Sequence, residues 1–187
     1  SSNSGVFTYS YDNIPGAGVA ARYTLAVDHT ITSSINIVKG GNYSVEIVIP
    51  SGKTLTIPSG DTLTIGSGAT VSNSGIIINI GTLTNNNLLN NSGLVLNKSG
   101  NNFTFNSAYG TTSQIITDIF TIGSSQKLTI ASGETLTIDS GKTLTIASGG
   151  VVDNDGTISC SGTITKTGSF TGSAGSLVFN SIVAYDA

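Results

Sequence analysis

Between Ser132 and Ile146 the chain reads SGETLTI, then Asp139, then SGKTLTI: a seven-residue unit, one spacer, and the unit again. The same octad occurs earlier as SGKTLTI, Pro58, SGDTLTI, from Ser51 to Ile65. Within each unit Leu and Ile lie two residues apart, so on a β-strand both point to one face and the threonines to the other. Ser-Gly supplies the bend, because glycine accepts backbone angles that a Cβ resists. Each octad therefore reads as one short strand and one corner.

The octads recur at two levels. Placing Ser51–Leu83 over Ser132–Ile164 needs no gap at an offset of 81 residues, and more than half of the positions are identical. Asn73 falls on Asn154, Gly75 on Gly156 and Gly81 on Gly162. With the offset lengthened by two, Leu94-Val95-Leu96-Asn97 meets Leu177-Val178-Phe179-Asn180. The chain is a tandem duplication, and each copy serves as a control for the other. The predicted organisation is an amino-terminal arm of extended strands over 1–28, a first repeat half over 29–105 and a second over 106–187. The two halves are expected to form one continuous domain.

No stretch carries a 3.6-residue apolar period over a helix length, so almost no helix is expected. Short strands with glycine corners along the whole chain predict an all-β fold, a β-solenoid resembling a parallel β-helix, with inward Leu/Ile ladders as its core. Two or three octads per coil would give eight to eleven coils. A β-sandwich with octads as hairpin strands is the alternative, and the scarcity of two-residue Asn-Gly turns argues against it.

Composition narrows the partners. Charged residues are only 9% of the chain and the net charge is −3, with no basic run. Nucleic acid and anionic membranes are therefore poor partners, and no apolar run reaches the roughly 20 residues of a spanning helix. The chain has no Met and opens SSNSG, which fits a secreted protein after signal removal. Cys160 is the only cysteine, and its alternation with Ile158 predicts a small buried hydrophobe.

The octads, grading into NSG/NDG and GTL/GTI units, resemble β-solenoid segments of secreted prokaryotic surface proteins, adhesins and extracellular filament subunits. That resemblance covers about residues 45–180. It implies a solenoid architecture and no shared active site.

Candidate sites were weighed against the internal copy. Asp153-Asn154-Asp155-Gly156 has the look of a calcium loop, since hard cations select clustered carboxylates. Its counterpart Ser72-Asn73-Ser74-Gly75 has no carboxylate, so the shared chemistry is a turn, and no metal or cofactor is expected. His29 follows Asp28, yet no G-x-S-x-G is present, and a surface or edge histidine is the expectation. Solenoid polysaccharide enzymes need clustered acids and aromatic platforms. Here Asp61 and Glu134 are both replaced by lysine at matched octad positions (Lys142 and Lys53), the mark of solvated corners. No catalytic residue and no enzyme are predicted. The Thr-x-Thr pairs resemble the ice-binding faces of some solenoid antifreeze proteins, although threonine also simply suits a strand's outer face. Asn42, Asn90, Asn97 and Asn102 each open an N-x-S/T triplet, so glycans attached there are a further expectation.

The functional expectation is a secreted, extracellular or cell-surface structural protein that assembles with copies of itself into a filament or surface layer. Strand addition between subunits would join them. Val6–Tyr11 alternates, with Phe7, Tyr9 and Tyr11 on one face, and is the expected assembly strand, docking on a neighbouring subunit. An ice-binding or carbohydrate-binding adhesin-like solenoid is the alternative.

Overall fold

The computed structural model describes residues 5–14, 18–41, 43–106, 112–173 and 175–180. Side chains of Tyr9, 11–14 and 18–20 are outside that description. Every element among the described residues is a β-strand, and parallel stacking makes the fold a β-solenoid.

The chain divides into two units, Ser1–Ser92 and Gly93–Ala187. In the first, β1 (Phe7–Ile14) and β2 (Gly18–Leu25) form an antiparallel hairpin. Three coils of three strands follow: β3 (His29–Thr30), β4 (Ile35–Ile37) and β5 (Ser44–Ile49); β6 (Thr54–Ile57), β7 (Thr62–Ile65) and β8 (Ala69–Asn73); β9 (Ile76–Asn79), β10 (Thr82–Asn85) and β11 (Leu88–Asn91). Each strand pairs in parallel with the one three places later, giving sheets β1-β2-β5-β8-β11, β4-β7-β10 and β3-β6-β9.

The second unit repeats this plan. It opens on an antiparallel hairpin of β12 (Leu94–Ser99) and β13 (Asn102–Phe105). Its coils are β14 (Ser113–Ile116), β15 (Ile119–Ile122) and β16 (Lys127–Ile130); β17 (Thr135–Ile138), β18 (Thr143–Ile146) and β19 (Val151–Asn154); β20 (Thr157–Cys160), β21 (Thr163–Lys166) and β22 (Ser169–Thr171). A last strand, β23 (Ser176–Phe179), lies parallel on β20. Within this unit the sheets are β12-β13-β16-β19-β22, β14-β17-β20-β23 and β15-β18-β21.

The number of coils differs from the expectation. Among the described residues each unit shows three full coils, fewer than the eight to eleven expected overall, because every coil takes three strands and 7–25 and 94–105 are spent on hairpins. The first unit ends at Ser92, and β12, hydrogen-bonded to β13, opens the second. The described part of the arm is a hairpin whose β2 lies parallel on β5, continuous with the first unit's sheet.

The core consists of the inward ladders. Leu136 lies under Ile158 and Leu177, Ile138 under Cys160, and Leu144 under Ile164. Leu63, Ile65, Leu144 and Ile146 are buried, while the threonines beside them are only half-buried. Each such Leu or Ile contributes about 1.5–3 kcal/mol by leaving water.

Corner length changes along each copy. Strands of the second unit start at 127, 135, 143 and 151, eight residues apart, and then at 157, 163 and 169, six apart. A six-residue unit leaves a two-residue corner, which seats against the longer corner of the preceding coil. Gly162 donates its N–H to Ile138 O, and a Cβ there would lie 2.3 Å from the carbonyl oxygens of both Asp139 and Lys142. Gly141, in a long corner, has φ 72° and open space around it. One glycine is required by close approach and the other by backbone angle.

Two substitutions test this division of labour. Leu144→Ala should cost about 2–5 kcal/mol, and Thr145→Ala well under 1, by chemical denaturation. Equal costs would contradict the inward and outward assignment. Gly162→Ala should also cost more than Gly141→Ala. The first forces backbone apart, while the second meets only the left-handed strain of about 1–2 kcal/mol.

Candidate functional site

The head of the first unit holds an open cavity of about 710 Å3, lined by mostly apolar side chains of β1 to β7 and the segments between them, with His29 and Asn36 among them. Phe7, Tyr23, His29, Ile31, Ile35 and Val45 stand on its wall. It follows from the ladder geometry. Inward residues of a first coil have another coil on one side only, so Ile35 remains 39% exposed; Val38, just past the end of β4, is 47% exposed. His29 meets the ring of Phe7 edge to face, with centroids 6.2 Å apart. Its sequence neighbour Asp28 accepts the N–H of Thr54 at 2.8 Å and so caps a corner.

The expected assembly strand is β1, and it lies on β2 of its own chain, Phe7 opposite Leu25 and Tyr9 opposite Tyr23. Phe7 is half-buried against the cavity. The side chains of Tyr9 and Tyr11 are outside the described residues, as is Asn42. Asn90 is exposed on β11. Asn97 and Asn102 are half-buried, and their Oδ1 atoms accept hydrogen bonds from Asn106 Nδ2 (3.0 Å) and Thr129 Oγ1 (3.1 Å).

In the first copy the Asn-x-Gly turn is closed by the asparagine side chain, whereas Oδ1 of Asn154 in the second copy accepts no hydrogen bond. Asn73 Oδ1 accepts the N–H of Gly75 at 3.1 Å, and Asn73 Nδ2 donates to Asn91 Oδ1 at 2.8 Å. Asn73 and Asn154 are both buried, at equivalent places. In the second copy the flanking carboxylates turn outward to other duties. Asp153 receives Lys127 Nζ at 2.5 Å and Thr171 Oγ1 at 3.1 Å, and Asp155 receives the N–H of Ser173 at 2.9 Å. Among the described residues, no three His, Cys, Asp or Glu side chains gather as a metal-binding group.

Among the described residues each unit shows a cross-strand ion pair on the sheet that contains its hairpin. In the first, Arg22 Nε meets Glu46 Oε2 at 2.7 Å, and Ser72 Oγ donates to the other oxygen of Glu46 at 2.7 Å. In the second, Lys127 meets Asp153. The hydrogen bond from Lys127, then that from Thr171, holds the Asp153 carboxyl below the ordinary carboxylate range. Burial raises the Glu46 pKa, and the bonds from Ser72 and Arg22 outweigh it, leaving a net lowering. These pairs are partly solvated, so each is worth about 1 kcal/mol or less. Cys160 is fully buried in the Ile138 ladder, and burial raises its thiol pKa, against the backbone N–H of Gly162.

The outward threonines form ranks from coil to coil. Thr121, Thr145 and Thr165 are cross-strand neighbours on β15, β18 and β21, with Thr143 and Thr163 beside them. Thr62, Thr64, Thr82 and Thr84 repeat the arrangement on β7 and β10. Consecutive octads do lie on different sheets, so a rank grows by stacking coils and not along the chain.

Sequence reasoning missed the cavity and both ion pairs. It also missed Gln114, which is buried and binds the Val95 main chain twice: Val95 N–H donates to Gln114 Oε1 (2.9 Å), and Gln114 Nε2 donates to Val95 O (3.1 Å). A glutamine at an inward position of a strand pattern was the available signal.

No family model, curated protein or solved structure matches the chain. The second copy within the chain is therefore the comparison that informs the first.

The lowered Asp153 and Glu46 pKa values set a pH dependence. A carboxylate with a depressed folded-state pKa stabilises the fold above its unfolded pKa of about 4, and that contribution fades as pH falls through the folded value. The melting temperature should therefore fall on acidification below about pH 4, and Lys127→Met should flatten that fall. An unchanged acid profile in the variant would count against the Asp153 assignment. The Cys160 thiol should react with a thiol reagent only on unfolding, as followed by absorbance during a denaturant series.

Proposed function

We propose that the protein is a secreted, non-catalytic structural subunit that assembles with copies of itself into an extracellular filament or surface layer by adding strands between subunits. The observation that carries this reading is the exposure of core-type side chains at strand edges. Ile35 and Val38 border the cavity of the first coil, while Val178 and Phe179 on β23 are 46% and 40% exposed. Exposed apolar groups at a strand edge invite another strand, which gains both main-chain hydrogen bonds and burial. A surface built mainly from Ser, Thr, Asn and Gly, with few charges, suits a durable exposed material. Glycans on the exposed Asn90 would be compatible with this role. Concentrated protein should form particles of regular width by negative-stain microscopy. A monodisperse monomer in sedimentation equilibrium at the same concentrations would refute the reading.

The threonine ranks favour a second reading, a binding rod for ice or carbohydrate. Their spacing is about 6.7 Å along a strand and about 4.8 Å between strands, a regular hydroxyl grid. Thermal hysteresis in dilute solution, abolished by Thr145→Tyr, would support ice binding, and its absence would remove it.

A further inference from the structure

The head of the second unit shows what the head of the first lacks. Val71 and Val152 are the same repeat position, and Ile47 pairs with one as Leu128 pairs with the other. Tyr23 then pairs with Ile47 as Phe103 pairs with Leu128, so β2 and β13 occupy the same place. On their antiparallel partners, Phe7 stands opposite Leu25 as Leu96 stands opposite Phe105. Ala26 donates its N–H to Val6 O, and Asn106 donates its own to Val95 O, both at 2.8 Å. The strand segments Gly5-Val6-Phe7-Thr8 and Leu94-Val95-Leu96-Asn97 are therefore equivalent residue by residue.

They fill that place unequally. Leu94, Val95 and Leu96 are 1%, 0% and 0% exposed. Gly5 stands where Leu94 would and has open space around its Cα, while Phe7 borders the cavity. Phe120 and Ile35 also share a position, as the partners of Leu144 and Leu63, and are 6% and 39% exposed. His29 pairs with Leu55 as Gln114 pairs with Leu136, so His29 stands where Gln114 holds the Val95 main chain.

The chain holds a closer match to Leu94-Val95-Leu96-Asn97 than β1 provides. Leu177-Val178-Phe179-Asn180 shares three of those four residues, whereas Gly5-Val6-Phe7-Thr8 shares one. It restores the leucine that Gly5 omits. In the isolated chain its Leu177 is half-buried, and Val178 and Phe179 are exposed.

We infer that β23 of a second copy of this chain seats antiparallel on β2, in the place that β1 holds in the isolated chain, and that β1 is released. The equivalence fixes the register. Phe179 comes opposite Leu25 and Asn180 opposite Thr24, as Leu96 and Asn97 stand opposite Phe105 and Thr104. Leu177 enters the cavity at the level of Gly5, and the Val178 main chain comes to His29. The exchange reverses the roles expected from the sequence: β1, with Phe7, Tyr9 and Tyr11, is the strand displaced, and β23 is the strand donated. The inference rests on the self-assembly reading and names its joint.

Thr24 faces both claimants, Thr8 of its own chain and Asn180 of the other, which makes one position a reporter for both states. Opposed residues of an antiparallel pair lie about 4.5–5.5 Å apart, within disulfide range. Thr24→Cys and Asn180→Cys chains, mixed and oxidised, should give a disulfide-linked dimer several-fold above either variant alone. In Thr8→Cys/Thr24→Cys chains, oxidation should lock β1 on β2 and abolish association by light scattering, and reduction should restore it. The same sample measured oxidised and reduced separates a blocked joint from a folding defect, with circular dichroism recorded in both states. Particles that form from the locked chain, or that lack the 24–180 crosslink, overturn the exchange and leave self-assembly standing. A wild-type chain that stays monomeric overturns both.

Discussion

The structure depends on register between coils. A parallel ladder places the same side chain above its counterpart at about 4.8 Å, so an inward leucine is buried only if the next coil returns in phase. Slipping one residue would turn every inward Leu and Ile to solvent. Corners therefore matter as much as strands. The long corner with its left-handed glycine and the two-residue corner with its close-packed glycine both return the chain in phase, although one unit has eight residues and the other six. Gly162, held between the carbonyls of Asp139 and Lys142, shows how the two kinds fit.

Duplication lets the chain be compared with itself. Where the copies agree, Asn73 and Asn154 are both buried, and Gly75 and Gly156 each donate the N–H to an isoleucine carbonyl of the preceding coil, Ile49 and Ile130. Where they disagree, position explains why. The carboxylates of Asp153 and Asp155 are taken up by Lys127, Thr171 and the Ser173 amide, while Ser72 serves Glu46 in the other copy. Glu46 and Lys127 stand at the same place, but Glu46 pairs back to Arg22 on the preceding strand of its sheet, while Lys127 pairs forward to Asp153 on the following one. The place of the ion pair is not kept between the copies, which fits a modest surface contribution.

The largest disagreements gather at the heads of the two units. Gly5 against Leu94, His29 against Gln114 and Ile35 against Phe120 each exchange a well-filled place for an open one. Loosely filled apolar space is costly in an isolated domain, because the lining loses contact partners and stays partly hydrated. That cost is offset when a strand of matching sequence enters.

The sequence by itself determined that the chain is all-β, that Leu and Ile of each octad point inward, that glycine turns the corners and that the chain is doubled. These follow from a period of two and from backbone freedom at single residues, both local properties. Cys160 was legible for the same reason, as the Ile position of a ladder. The tertiary structure alone decided that three strands close a coil, that β12 folds back on β13, and that Gln114 holds the Val95 main chain. It also decided that Arg22 meets Glu46 and that Lys127 meets Asp153, partners 24 and 26 residues apart. Contacts across such separations are set by how many residues a coil consumes. That number comes from closure of the ladder in space, which no local pattern encodes.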